Sequence, residues 1–214
     1  MNVEIMAVGM FQSNCFIPYC TETNQALIID PGEEGDRILS FVAGKRLDVR
    51  YIVNTHAHID HVSALTDVAG ALNVPVLLHE EDEFIFKNLE YQGSLFGLEA
   101  PKHVSIDRFL KDGDEIVFGR ETLTVVHVPG HSPGSVALLA DRSHPKIVFS
   151  GDTLFKGSIG RTDLFGGNYE QIMDSLRRFF VPLPDDTVIY PGHGEPSTIG
   201  GEKRHNPFLL ELMS

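Results

Sequence analysis

Histidines and aspartates gather in four short segments of the chain, and both residue types bind metal ions. The first segment is Thr55-His56-Ala57-His58-Ile59-Asp60-His61, in which side chains two apart share one face of an extended chain. The other three segments each place one such residue beside glycine: His131 in Pro-Gly-His-Ser-Pro-Gly, Asp152 in Gly-Asp-Thr, and His193 in Pro-Gly-His-Gly. Imidazole and carboxylate are preferred ligands of zinc, iron and manganese.

Together the four segments offer enough donors for two ions, from the side chains of His56, His58, Asp60, His61, His131, Asp152 and His193. A closed structural zinc site takes four ligands, often thiolates, and this set is larger and contains no sulfur. Paired ions make hydroxide available and stabilise the oxyanion of a hydrolysis. Asp152 is the candidate bridge, because one carboxylate can give one oxygen to each ion. We therefore predict a two-metal hydrolytic site.

The remaining histidines have no such surroundings, and we expect structural or surface roles for His79, His103, His127, His144 and His205. His79 and His127 end predicted strands and are candidates to support the ligands from behind.

Each of the four segments follows a run that is typical of a strand, namely Val49–Asn54, Thr122–Val128, Ile147–Ser150 and Thr187–Tyr190. Asp60 is predicted to be the N-cap of a helix that runs to about Leu72. Further strands are predicted at Val3–Val8, Cys15–Tyr19, Gln25–Ile29, Pro75–Leu78, Glu115–Phe118 and Val136–Ala140, and helices at 33–44, 80–98, 169–180 and 198–211. Interspersed strands and helices indicate an α/β or α+β fold in layers, and the length favours one domain over residues 1–214.

A rival motif overlaps the second of the four segments. Gly130-His131-Ser132-Pro133-Gly134 matches G-x-S-x-G, the nucleophile elbow of serine hydrolases. That elbow requires a helix directly after the serine, whereas here a strand, Val136–Ala140, is predicted to follow. We therefore interpret Ser132 as a turn former and not as a nucleophile.

The composition excludes several classes of function. A net charge of −13 argues against binding nucleic acid and against docking on an anionic membrane. No apolar run approaches the ~18 residues of a membrane span, and the first basic residue is Arg37, so we expect a cytoplasmic protein without a targeting signal. Cys15 and Cys20 lie an odd number of residues apart, and we expect two separate buried thiols.

In this order, H-A-H-I-D-H, a later lone histidine, G-D-T and P-G-H-G resemble the metallo-β-lactamase-fold hydrolases over essentially the whole chain, and Asp30 at a strand end also matches. The resemblance implies a four-layer αβ/βα sandwich with the metals at one edge. It also implies a division of the ligands: His56, His58 and His131 for the first ion, Asp60, His61 and His193 for the second, and Asp152 as the bridge.

Within this superfamily the details favour glyoxalase II, the hydroxyacylglutathione hydrolases. Residues 151–163 and 197–208 closely resemble that group. The commonest zinc β-lactamases have cysteine where this chain has Asp152, flavodiiron proteins have a carboxylate at the place of His58, and the family nucleases fit the charge poorly. We expect the chain to lack the C-terminal helical domain that helps to grip glutathione in full-length glyoxalase II, so the short single-domain group is the best match.

The resemblance therefore predicts an enzyme that hydrolyses a thioester such as lactoylglutathione by attack of a metal-bound hydroxide. Two divalent ions are expected, with zinc first and iron or manganese as alternatives, and Asp60 is expected to orient or deprotonate the water as well as to bind metal. Four cations are candidates to meet an anionic small-molecule substrate: Lys156, Arg161, Lys203 and Arg204.

Other functions remain open at this point. A glutathione-persulfide dioxygenase would share the fold and motifs but use one iron, implied here at His56, His131 and Asp152. A lactonase or phosphodiesterase is a third possibility, and a metal protein without catalytic activity is a fourth.

Overall fold

The computed structural model describes residues 1–102, 104–140, 142–143 and 145–214. Two of the histidines for which structural or surface roles are predicted, His103 and His144, lie outside the described residues. The chain divides into two compact units, the first formed by Met1–Leu110 with Val117–Glu121, and the second by Lys111–Ile116 with Thr122–Ser214. The predicted mixed α/β class is confirmed.

The first sheet has six strands in the order of the sequence, β1 (Asn2–Val8), β2 (Ser13–Tyr19), β3 (Gln25–Ile29), β4 (Asp48–Val53), β5 (Val76–His79) and β6 (Arg108–Leu110). β1, β2 and β3 pair antiparallel, and β3 to β6 pair parallel. The helices of this unit are α1 (Gly35–Lys45), α2 (Ile59–Val62), α3 (Leu65–Leu72), α4 (Glu83–Lys87) and α5 (Leu89–Phe96).

The parallel pairing of β3 and β4 decides where the first polar segments lie. β3 is apolar and mostly buried, and β4 ends in the buried apolar residues Ile52 and Val53. Ile29 pairs with Val53, so Asp30 and the segment from Asn54 onward leave the sheet at the same edge. Ile28 and Ile52 anchor these strands in the core, against Ile38 of α1 and Leu65 of α3.

The strands of the second sheet are β7 (Glu115–Phe118), β8 (Glu121–His127), β9 (Val136–Ala140), β10 (Ile147–Gly151), β13 (Val188–Pro191) and β14 (Ser197–Thr198), and a separate hairpin consists of β11 (Leu154–Phe155) and β12 (Ser158–Ile159). The order in the second sheet is β14-β13-β10-β9-β8-β7. β10 and β13 are parallel, with Gly151 paired to Pro191. Asp152 and His193 therefore follow the carboxyl ends of two neighbouring strands, β10 and β13.

The helices of the second unit are α6 (Tyr169–Ser175), which continues into a π-helical segment (Leu176–Phe180), then α7 (Ile199–His205) and α8 (Pro207–Met213). Ile172, Leu176, Phe180 and Ile189 form part of this unit's buried core. In the described part of the chain, no helix has both the length and the apolar character that crossing a membrane requires.

The predicted helix from Asp60 to Leu72 is wrong in its start and its continuity. It begins at Ile59, with His58 as the N-cap, and it breaks after Val62. The break has a clear cause, because the Ala64 N–H donates to the carbonyls of Pro31 and Gly32. The carbonyl of Asp60, which would accept that N–H in a continuous helix, accepts from the Ser13 hydroxyl instead at 2.6 Å.

Other predicted elements are subdivided. Residues 80–98 hold a 3₁₀ turn at Glu80–Asp82 followed by α4 and α5, and the tail holds two helices that meet at Asn206. β6, β11, β12 and β14 have two or three residues each, too few to show an alternating pattern in the sequence. Cys15 and Cys20 are both buried and free, as predicted.

Candidate metal centre

In the first unit, three imidazoles converge at the carboxyl end of β4. The His56 and His58 rings meet edge to face with centroids 4.8 Å apart, and the His56 and His61 centroids are 4.2 Å apart. All three side chains are buried. One potential ligand atom each from Asp30, His56 and His61 lies within 4.8 Å of the others. A cluster of buried imidazoles of this kind suits a divalent ion.

Asp30 determines the tautomers of two of these histidines. Its carboxylate accepts from the Thr55 N–H at 2.7 Å, from the Thr55 hydroxyl at 2.6 Å and from His61 Nδ1 at 3.1 Å. The Thr55 hydroxyl has given its hydrogen to Asp30, so its oxygen accepts from His56 Nδ1 at 3.0 Å. His56 and His61 therefore carry the proton on Nδ1 and present the lone pair of Nε2, as a metal-binding histidine does.

Three further side chains bind the backbone of residues 57–60, which follow β4. Buried Asp82 accepts from the Ala57 N–H at 2.8 Å. The amide oxygen of Gln92 accepts from the Ile59 N–H at 3.2 Å, and the Ser13 hydroxyl donates to the Asp60 carbonyl. A Cβ atom on Gly32 would clash with that same carbonyl, so the close approach of the chain there requires glycine.

In the second unit, the donors are grouped around Asp152. The Asp152 Oδ2 atom lies 3.5 Å from His131 Nε2 and 3.6 Å from His193 Nε2. His131 Nδ1 donates to the carbonyl of Arg161 at 2.8 Å. A carbonyl only accepts, so this bond also places the proton on Nδ1 and the lone pair on Nε2. Gly160 lies against Asp152 and His131, so closely that a Cβ atom on Gly160 would clash with the Asp152 carbonyl.

These distances fit metal ligands better than hydrogen bonds. The His61 Nε2 atom faces Asp60 Oδ2 at 3.6 Å, which repeats the spacing found around Asp152. Hydrogen bonds between such groups measure roughly 2.7–3.2 Å, whereas two ligands ~2.0–2.2 Å from one tetrahedral ion lie about 3.3–3.6 Å apart. A lone pair on Nε2 and a lone pair of a carboxylate oxygen also repel each other unless a cation lies between them. The donors of each unit thus fit divalent ions.

A sequence profile of the metallo-beta-lactamase superfamily matches residues 8–193. The chain belongs to this superfamily. The resemblance inferred from the four motifs is therefore confirmed. A relative from Haemophilus influenzae, hydroxyacylglutathione hydrolase GloC, is 39% identical over 216 residues and covers 98% of this chain and 98% of its own length.

Solved structures of superfamily members are also similar. BLEG-1 B3 metallo-beta-lactamase is 34% identical with a TM-score of 0.89, over 97% of this chain and 99% of that one. TTHA1623 in a di-iron-bound form is 38% identical with a TM-score of 0.87, over 96% and 100%. ETHE1 from Myxococcus xanthus is 28% identical with a TM-score of 0.79, over 100% and 90%.

The four cations that we predict to meet the substrate are on the surface, and three of them are paired with acids. Arg161 forms two hydrogen bonds with Asp163, at 2.7 and 2.8 Å, and this lowers the pKa of Asp163 to about 2. Lys156 contacts Glu195 at 2.6 Å, and Lys203 contacts Asp185 at 2.8 Å. These bonds raise the pKa of Lys156 and lower that of Asp185. Arg204 is exposed.

Ser132 has the surroundings of a turn residue. Its side chain is fully buried, its hydroxyl lies 2.8 Å from the Ser135 hydroxyl, and the Ser132 carbonyl accepts from the Gly130 N–H. β9 follows the turn, where a nucleophile elbow would need a helix.

The side chains that hold the backbone of residues 57–60 are not predictable from the sequence. Asp82 lies in the acidic run of residues 80–83, which resembles the first turn of a helix, and Gln92 and Ser13 belong to no recognised motif. Nothing in the local sequence of these three indicates that they bind backbone groups near His56–His61. Asp30 alone had a signal, its place at the end of a predicted strand.

Proposed function

We propose that this superfamily member is a metal-dependent thioester hydrolase that acts on a hydroxyacylglutathione such as lactoylglutathione. The observation that carries the proposal is that Nδ1 of His56, His61 and His131 donates a hydrogen bond, so that each ring presents the lone pair of Nε2 to a metal ion. The GloC relative supports the substrate class, because it covers nearly all of both chains. We further propose that the protein meets this small-molecule substrate in the cytoplasm.

The proposed ligand assignment follows the superfamily pattern. The first ion would be held by His56, His58 and His131, the second by Asp60, His61 and His193, and both by Asp152. Two divalent ions, zinc first, would lower the pKa of a coordinated water and place positive charge beside the carbonyl oxygen. The 3.5–3.6 Å spacings between imidazole and carboxylate atoms within each unit support this assignment.

In the reaction, Asp60 is proposed to hold and accept the proton of the attacking water, because its side chain is 18% exposed and so open to solvent. Asp30 would keep the proton of His61 on Nδ1 while the charge of Asp60 changes. The leaving thiolate has a conjugate acid with a pKa of about 8.5, so it departs without a general acid. No covalent intermediate on Ser132 is needed.

The decisive experiment is an anaerobic assay of thiol release from lactoylglutathione by the protein as purified. We expect release that a chelator abolishes and that added Zn²⁺ restores. A β-lactam is the comparison substrate, because of the similarity to the B3 metallo-beta-lactamase. If the β-lactam is turned over and the thioester is not, the substrate proposal is wrong while the metal site stands.

The second candidate is a persulfide dioxygenase with one iron at His56, His131 and Asp152. Two similar structures support this candidate, TTHA1623 in a di-iron-bound form and ETHE1 from Myxococcus xanthus, since both resemble this chain over nearly its full length. Oxygen uptake with glutathione persulfide, without anaerobic thiol release from lactoylglutathione, would replace the hydrolase by this activity.

A further inference from the structure

The C-terminal segment of residues 197–208 resembles glyoxalase II, yet it contains none of the proposed metal ligands. Two of its polar side chains are nevertheless buried: Glu202 on α7 is 3% exposed, and Asn206, between α7 and α8, is 0% exposed. Burying a carboxylate and an amide costs free energy unless both are hydrogen-bonded. The groups that they bind therefore indicate what they do.

Glu202 reaches the turn of the β11–β12 hairpin. Its Oε2 accepts from the Gly157 N–H at 2.7 Å and from Asn206 Nδ2 at 2.9 Å, and its Oε1 accepts from the Ser197 hydroxyl. Gly157 has a φ of 74°, in the left-handed region that suits glycine in a tight turn. Glu202 thus fixes the tip of the hairpin.

Asn206 binds the two strands of the same hairpin. Its Nδ2 donates to the Ser158 carbonyl at 3.0 Å and lies 3.3 Å from the Phe155 carbonyl. Its Oδ1 accepts from the Phe208 N–H at 3.1 Å and so caps α8. One buried amide therefore joins both strands of the hairpin to the C-terminal helices.

The hairpin needs this support. Each strand has two residues, and the two strands form a sheet of their own. An isolated hairpin of this size is not stable in water, so contacts from elsewhere must order it. Glu202 and Asn206 together bind three of its backbone polar groups, those of Gly157, Phe155 and Ser158.

The hairpin in turn connects two residues of the candidate metal centre. It begins two residues after Asp152, and it ends directly before Gly160 and Arg161. Gly160 lies against the Asp152 backbone and His131, and the Arg161 carbonyl accepts the His131 Nδ1 proton at 2.8 Å. Movement of the hairpin would therefore shift the acceptor that orients His131.

We propose that Glu202 and Asn206 form a latch that positions the hairpin and, through it, the metal-binding atoms of His131 and Asp152. This rests on the proposed function in so far as His131 and Asp152 bind metal. The two residues are positioning residues, since neither touches a reacting group. They give the C-terminal segment a role that needs no contact with the thiol carrier.

The test compares variants that differ in the latch alone. Asn206→Asp keeps the oxygen that caps α8 and removes the amide that binds the hairpin, and Glu202→Ala removes the other half of the latch. Glu202→Gln keeps an oxygen for Gly157 and Asn206 and can turn its amide toward the Ser197 hydroxyl, so it is the conservative rescue. Thr198→Ala is the stability control, because the Thr198 hydroxyl caps α7 by accepting from the Gly201 N–H and is not part of the Glu202–Asn206 latch.

Zinc affinity is measured by competition with a chromophoric chelator, and NMR follows the exchange of the His131 Nδ1 proton with water. Loss of a residue that orients a ligand typically weakens metal binding by about 10–100-fold. We expect at least a ~10-fold loss for Asn206→Asp and Glu202→Ala, less than ~3-fold for Glu202→Gln, and none for Thr198→Ala despite a lower Tm. The His131 proton should exchange faster in the first two variants only.

Folded Asn206→Asp and Glu202→Ala proteins with wild-type zinc affinity and an unchanged His131 proton would overturn the latch. If neither variant folds, Ser197→Ala provides the test, because it removes one hydrogen-bond donor to Glu202. We then expect zinc affinity to fall by a few fold. An unchanged zinc affinity in Ser197→Ala would contradict the latch. If the wild-type protein binds no zinc, the proposed function fails separately. The exchange of the His131 proton then decides the latch alone.

Discussion

The carboxylate of Asp30 and the imidazole of His61 form a fully buried pair, with Oδ2 and Nδ1 3.1 Å apart. Asp30 follows β3 with a φ of 51°, a left-handed conformation that costs a residue with a side chain some strain. The parallel neighbour β4 delivers Thr55 to the same carboxylate. One acidic residue thus receives two N–H groups and a hydroxyl, and it controls the tautomers of His56 and His61.

We expect Asp30→Ala to destabilise the protein and weaken its metal site together. The buried N–H of Thr55 and Nδ1–H of His61 would lose their acceptor, at a cost of roughly 1–3 kcal/mol each. Metal affinity should fall at least ~10-fold, because nothing would fix the tautomers of His56 and His61. Urea unfolding and zinc competition measure the two effects.

Asp36→Ala is the matched control, because Asp36 is an exposed aspartate in the first turn of α1. Its unfolding free energy should change by less than about 0.5 kcal/mol, as is usual for surface positions. Unchanged zinc affinity in Asp30→Ala would contradict the role assigned to the carboxylate.

The metal content of the protein is the most direct check on the donor set. Seven candidate ligands lead us to expect two divalent ions per chain after gentle purification, measured by elemental analysis, with zinc as the first expectation. Removal by a chelator should abolish thioester turnover, and Zn²⁺ should restore it. One iron per chain would favour the dioxygenase, and no metal at all would contradict both catalytic proposals.

Asp152 and His193 should differ when each is replaced by alanine. Asp152 Oδ2 faces both His131 and His193, so Asp152→Ala should lower occupancy at both ion positions. Without the shared carboxylate, two like-charged ions would repel each other at short range. His193→Ala should mainly lose one ion. A folded Asp152→Ala protein with two ions and normal turnover would show that the ligand assignment is wrong.

Much of the donor set was predictable because it is encoded locally. The spacing in His56–His61 and the glycines beside His131, Asp152 and His193 are visible in the sequence, and strand ends are where such residues meet. The strands around them were also predictable from runs of branched apolar residues. Asp82 and Glu202 were not, because their function depends on backbone groups 25 and 45 residues away in the chain.

The helix after His61 shows why boundaries are harder. The Ser13 hydroxyl of β2 donates to the Asp60 carbonyl, and the Ala64 N–H donates to the carbonyls of Pro31 and Gly32 after β3, so contacts from two distant segments divide the helix. The helix propensity of residues 59–72 does not predict those contacts, because they involve residues that are distant in the sequence. The same holds for the two-residue strands of the β11–β12 hairpin, which the C-terminal helices hold in place.

Ser132→Ala should retain most thioester hydrolysis. The Ser132 hydroxyl is bound to the Ser135 hydroxyl inside a turn, and the proposed nucleophile comes from water. We expect kcat within about threefold of the wild type, and a loss of about 1 kcal/mol in stability from the missing hydrogen bond. Ser135→Ala is the control and should also retain turnover, but it should lose more stability, because the Ser132 N–H donates to the Ser135 hydroxyl as well. A loss of more than 10³-fold in kcat for Ser132→Ala alone would revive the serine nucleophile.

Arg161 offers a separate test of substrate binding. Its guanidinium is bound to Asp163, whereas the group that orients His131 is its backbone carbonyl. Arg161→Ala removes the charge and keeps the carbonyl, so we expect KM for lactoylglutathione to rise about tenfold with little change in kcat, since a charged hydrogen bond is worth about 1.5–3 kcal/mol. Arg177→Ala, which removes an exposed arginine near Asp174, should leave KM unchanged.

Asp163→Ala should do the opposite of Arg161→Ala. It frees the guanidinium from a competing exposed carboxylate, and exposed ion pairs contribute at most about 1 kcal/mol, so KM should fall by no more than about fivefold. Arg161 lowers the pKa of Asp163 to about 2, so this carboxylate stays charged as pH rises and the pair is lost only as pH falls through that value. The decrease in KM should therefore be the same at pH 6 and pH 8 in steady-state assays. If both variants leave KM unchanged, Arg161 does not contact the substrate.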